Sequence, residues 1–263
     1  MKQLISKSHR GRLTIIGALT VSLLAFAGVA SANHSWGGYH WARQSNPFTL
    51  KLSSNLSISW QPYIDTSSSD WSQSTVLDTV VVQGAKNPKT CKPTSGIVEV
   101  CNARYGNNGW LGLAQVWVTS GNHITQGAVK MNDTYMDRAP YNTPAEKNHV
   151  MCQEVGHTLG LGHQDESGAA RGTCMDYSMD DGSQQPNTHD YDQLQVIYAH
   201  LDSTTTVAAS TSTSAAADQS DLNNQANWGR RVFRSRSGLL EVYERQFKDG
   251  SKIITSVTLA NHQ

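Results

Sequence analysis

The chain has 263 residues, with 21 basic against 21 acidic side chains, ten histidines and four cysteines. That balance excludes the strongly basic surface that nucleic-acid binding demands. The length suffices for one well-filled core plus an appendage.

At the amino terminus Lys2, Lys7, Arg10 and Arg12 precede an apolar run over residues 13–29 that ends in Ala30-Ser31-Ala32. This is the pattern of a secretory signal peptide, and it predicts cleavage after Ala32. The small residues and the polar Asn33-His34 that follow disfavour a permanent anchor. Cleavage would change the balance from 21 against 21 to 17 basic against 21 acidic. No second stretch is apolar enough to span a bilayer, so the mature chain is expected to be secreted, monomeric, and without stable membrane insertion or nucleic acid.

Residues 48–64, FTLKLSSNLSISWQPYI, alternate apolar and polar positions in short runs and predict an early strand or hairpin. Residues 67–82 are ambiguous: Trp71, Val76, Leu77, Val80 and Val81 fit a helix loosely, while VLDTVVV favours a strand. The runs LGLAQVWV and HITQGAVKM flank Ser120-Gly121-Asn122, which is turn chemistry, and predict an antiparallel pair.

The clearest helix starts at Thr143-Pro144-Ala145-Glu146. Thr143 can cap it, Pro144 suits its first turn, Glu146 completes a capping box, and Gly160 supplies the stop. Val150, Met151, Val155 and Leu159 form the stripe that docks it on a sheet. A last helix is expected from Asn187-Thr188 through HDYDQLQVIYAHL. Residues 203–227 are rich in Ser, Thr and Ala and read as a flexible linker. Residues 228–263 predict a small basic β-strand module, with seven basic against three acidic residues; docking on the main domain, at residues 33–202, is its simplest role.

Four cysteines in an exported chain favour two disulfides. Three pairings are formally possible, and sequence order suggests Cys91 with Cys101 and Cys152 with Cys174. A four-cysteine zinc site would need closer cysteine pairs.

The stretch that carries chemistry is HVMCQEVGHTLGLGHQD, residues 149–165. Gln153 and His157 lie four apart on a helix and share a face, so their tips can meet at one ion. Glu154 is offset by one position, beside that ion, where it can accept a proton from a polarised water. Gly160 lets the chain turn back so that His163 reaches the same point. His149, about 12 Å along the helix from His157, cannot join them. Asp165 is a possible extra oxygen donor, with a surface role more expected.

With His in place of Gln153 this stretch would read HExxHxxGxxH, and it therefore resembles the zinc signature of the metzincin metallopeptidases. Thr173-Cys174-Met175-Asp176-Tyr177 resembles the methionine turn of that family. The resemblance implies an α+β domain with a twisted, mostly parallel mixed sheet, an active-site helix and a C-terminal helix. It implies one catalytic Zn2+ held by Gln153, His157 and His163, Glu154 as general base and Tyr177 at the oxyanion. Met175 would pack beneath the ion, and a Cys152–Cys174 disulfide would stiffen the site from two sides. The expected activity is hydrolysis of protein or peptide substrates, bacterial wall peptides included. Gln153 is a neutral and weaker donor than imidazole, so the alternative is a binding or scaffold protein that keeps the fold without the chemistry.

Overall fold

The computed structural model describes residues 34–165, 167, 169–178, 181–209 and 222–260. The expected signal peptide and residues 210–221 of the expected linker lie outside them. Residues 32–263 form one compact unit. It is an α+β arrangement built on one mixed sheet.

The first strands are β1 (His40–Trp41) and β2 (Phe48–Asn55), then helix α1 (Gln61–Trp71) and β3 (Leu77–Gln83). The 48–64 stretch is thus not a hairpin. Its second half is helical because Pro62 sits in the first turn, and because Trp60, Ile64, Ser67 and Trp71 are buried at helical spacing. The ambiguous stretch resolves into the end of α1 and the strand β3.

Strand β4 (Val98–Ala103) follows, between β2 and β6, in a stretch for which the sequence predicted no element. Then come β5 (Trp110–Val118) and β6 (His123–Asn132), paired antiparallel as expected, the one-turn α2 (Asp133–Met136), α3 (Pro144–Thr158) and α4 (Thr188–Ile197). Thr143 caps α3 by accepting from the Glu146 amide, whereas the complete capping box lies at α4, between Asn187 and Asp190.

The C-terminal strands are β7 (Arg230–Arg234), β8 (Leu240–Gln246) and β9 (Lys252–Leu259). They do not stand apart as an appendage. The sheet runs β3-β2-β4-β6-β5-β9-β8-β7, with β1 also on β6. Pairings among β1, β2, β3, β4 and β6 are parallel and the remaining four are antiparallel, so the sheet is evenly mixed rather than mostly parallel. The reason is that β5 carries apolar side chains on both faces and would otherwise expose an unpaired edge. Leu240, Val242, Tyr243, Ile253, Ile254 and Val257 are buried by the addition. At roughly 1.5–3 kcal/mol each they contribute on the order of 10 kcal/mol gross, comparable with the net stability of a whole domain.

Helices α1 and α3 pack against each other and on β2, β3, β5 and β6. Part of the expected linker is bound down, with the Thr206 and Ala208 amides donating to the carbonyls of Ala42 and Gly96 at 2.9 and 2.8 Å. Disulfides join Cys91 to Cys101 and Cys152 to Cys174. Among the described residues no helix is long and apolar enough to cross a membrane. Deleting residues 228–263 is expected to abolish the cooperative thermal transition followed by circular dichroism; an unchanged midpoint would show that these strands are dispensable.

Candidate functional site

Helix α3 is buried along most of its length, and every residue from His149 to Thr158 is inaccessible. Its approach to the sheet depends on Gly112, where a Cβ would lie 2.6 Å from Val150 and 2.9 Å from the Glu154 carboxylate. The carbonyls at its end need partners from elsewhere. Trp41 Nε1 donates to the Thr158 oxygen at 2.9 Å, the Tyr198 hydroxyl to Leu159 at 2.9 Å, and the Trp36 amide to Gly160 at 2.7 Å. Gly160 turns the chain with φ +97°, and a Cβ there would meet the Tyr39 carbonyl at 2.2 Å.

That turn brings His157 and His163 together, Nε2 to Nε2 at 3.1 Å. His157 Nδ1–H donates to the Leu161 carbonyl at 2.8 Å, which leaves a lone pair on Nε2. Burial lowers the His157 pKa to about 4 and holds His163 well below its ordinary value, so both rings are neutral at physiological pH. Two neutral imidazoles with facing Nε2 atoms fit a shared cation: donors bound at about 2.0 Å around a tetrahedral ion are about 3.3 Å apart. The carbonyl behind His157 is the outer partner that a ligating histidine needs.

Beside this pair runs the segment that carries Met175 and Tyr177. Met175 is fully buried, and its sulfur lies against Gly156 of α3. The Gln164 amide donates to the Met175 carbonyl at 2.6 Å, and the Tyr177 ring stacks on His163 with centroids 4.3 Å apart. The Cys152–Cys174 disulfide fastens the turn to the helix.

Gln153 is placed differently from a simple ligand. Its amide nitrogen donates to the Cys174 and Asp176 carbonyls at 3.0 and 2.8 Å, and its oxygen accepts from the Thr258 hydroxyl at 2.7 Å. The side chain therefore clamps α3 to the turn around Met175 and to β9. Thr258 also lies 2.6 Å from Glu154 Oε1, while Glu154 Oε2 has no hydrogen-bond partner. Burial pushes Glu154 up to about 8, opposed by Thr258. Asp165 is committed elsewhere, paired with Arg171 at 2.7 Å and held down to about 2 by Ser167 and then Arg171. His149 faces the Ser183 carbonyl through Nδ1.

A cavity of about 290 Å³ opens on His157 and His163, with His34, Trp36, Phe233 and Val242 among its walls. A smaller one of about 30 Å³, room for a single water, lies between Glu146, His149, Gln153, Tyr177 and Thr258. Sequence reasoning missed Thr258, Trp36 and His34. Thr258 is 104 residues from Glu154, and no local pattern marks it. Among the described residues two groups outside the motif could also hold a metal ion: His34 with His189 and Asp190, and His40 with His123 and Asp202, donor atoms within 4.8 Å of one another in each.

No protein-family model matches the chain, and no curated protein matches it significantly.

Burial raises Glu146 from 4.5 to about 7, so the folded state holds this proton more tightly than the unfolded chain. Its contribution is complete below pH 4.5 and is lost as pH rises through about 7. Glu146→Gln is expected to gain up to about 3 kcal/mol on wild type between pH 5 and pH 8 in denaturant titrations. A constant difference across that range would contradict the assignment.

Proposed function

We propose that this chain is an exported zinc metallopeptidase whose ion is held by His157 and His163. The observation that carries the reading is the pair of buried, neutral imidazoles with Nε2 atoms 3.1 Å apart and one ring fixed by the Leu161 carbonyl. Gln153 can add its oxygen only by sharing it with the Thr258 hydroxyl. Two disulfides suit an oxidising compartment, which supports export.

Bound there, zinc supplies a Lewis acid that polarises a peptide carbonyl and acidifies water. Glu154 is the proton acceptor for the attacking water and then the donor to the leaving amine. Burial keeps its carboxyl protonated near neutral pH, and a nearby cation favours the carboxylate that the role requires. Thr258 fixes one oxygen and leaves the other for the proton. Tyr177, stacked on His163, would donate to the developing oxyanion. The Phe233 and Val242 walls offer an apolar seat for a substrate side chain.

A second reading is a binding protein of the same fold that holds an ion without hydrolysis. It is favoured by the Thr258 hydroxyl, which engages Gln153 and Glu154 together, and by the complete burial of Glu154.

Casein hydrolysis and zinc content, measured in parallel, separate the two. His157→Ala and His163→Ala should each remove the zinc of this site. Glu154→Ala should keep it and lose hydrolysis by about 100-fold or more. Equal cleavage by wild type and Glu154→Ala would defeat the mechanism. Zinc binding without cleavage in wild type, gained in Gln153→His, would establish the second reading.

A further inference from the structure

A separate cluster lies where β1, the start of β6 and the segment after α4 meet. His40 and His123 are register partners in the parallel β1–β6 pair, so neighbouring strands deliver both rings to one place. His200 and Asp202, just beyond α4, complete it. Asp202 Oδ1 lies 3.2 Å from His123 Nε2, 3.6 Å from His40 Nε2 and 3.7 Å from His200 Nε2, and the His40 and His200 Nε2 atoms are 3.2 Å apart. Four of the six donor separations thus lie near the edge of about 3.3 Å expected for N and O donors around a tetrahedral ion bound at 2.0–2.1 Å, and the donor atoms of His40, His123 and Asp202 all lie within 4.8 Å of one another.

The groups behind the donors are arranged for the same purpose. His40 Nδ1–H donates to the Gly38 carbonyl at 2.9 Å, which leaves a lone pair on Nε2. That lone pair lies 3.6 Å from an Asp202 carboxylate oxygen, an approach of two acceptors that a cation relieves. Burial, which is the largest influence on His40, favours its neutral form. The second oxygen of Asp202 is held by Arg43, through Nη1 at 2.9 Å and the backbone amide at 3.2 Å, so Oδ1 is fixed toward the cluster. Arg43 is fully buried, stacks on the Tyr198 ring, and donates to the Tyr198 and His200 carbonyls. It thereby holds the segment that carries two of the donors.

We propose that His40, His123, His200 and Asp202 form a second metal site, distinct from His157 and His163, that takes a divalent transition cation of the zinc kind as a structural ion. Three imidazoles and one carboxylate suit zinc and offer too few oxygens for calcium or magnesium. The set leaves no position open for substrate. It joins chain positions 160 residues apart, His40 and His200, and so ties the amino-terminal strand to the end of the last helix.

The test is zinc titration of the metal-free full-length mature protein in the His157→Ala/His163→Ala background, read by elemental mass spectrometry and thermal midpoint. His123→Ala and His200→Ala are added singly; the His200 side chain is half exposed, at 55%, so its removal leaves the fold intact. The parent is expected to bind zinc at this site with a raised midpoint, and each added substitution to weaken that binding at least about 100-fold and abolish the shift. Calcium should produce no shift. Equal zinc content and equal midpoint shift in parent and variants would overturn the proposal, leaving a hydrogen-bonded His–Asp network only. Because the background already lacks both motif histidines, this outcome is independent of the peptidase reading.

Discussion

A helix buried from its second turn to its end must find a partner for each polar atom it carries there, and α3 carries Gln153, Glu154 and His157 into the interior together. The rest of the structure is arranged around that demand. Carbonyls of the turn around Met175 accept from Gln153, a hydroxyl from the last strand serves both Gln153 and Glu154, and the Leu161 carbonyl orients His157. Since Thr258 belongs to β9, the C-terminal strands complete both the sheet and the polar lining of the site. Among the described residues of α3, Glu154 Oε2 is the exception, a buried carboxylate oxygen without a hydrogen-bond partner.

Local signals in the sequence were informative where the physics is local. The cap at Thr143, the glycine at 160, the Ser-Gly-Asn turn between β5 and β6 and the last helix all follow from neighbours within a few positions. The proximity of His157 and His163 follows from the helix period and one positive-φ glycine. Strand β4 was hidden because its short run follows a Pro- and Gly-rich loop, and α1 because its serine-rich surface weakens the apolar period carried by Trp60, Ile64 and Trp71. Nothing local reveals that β9 inserts beside β5 or that Thr258 reaches Glu154, since those contacts join distant parts of the chain.

Gln153 shows how the same residue can read differently in one dimension and in three. Its spacing from His157 matches a ligand position, yet its amide hydrogens are spent on two carbonyls that hold the turn around Met175. A histidine at that position would offer only one ring nitrogen to the turn if the other bound an ion, so the glutamine trades donor strength for attachment. The His40 cluster was invisible for the opposite reason: its members lie far apart in sequence and converge only through the β1–β6 register and the Arg43 anchor.

The central claim is that His157 and His163 share one ion, and anomalous diffraction at the zinc edge from crystals grown with zinc tests it most directly. The account predicts an ion about 2.0–2.1 Å from both Nε2 atoms, on the side open to the cavity. Density for zinc elsewhere in the same crystal, with none between these rings and their nitrogens still at hydrogen-bonding distance, would contradict it.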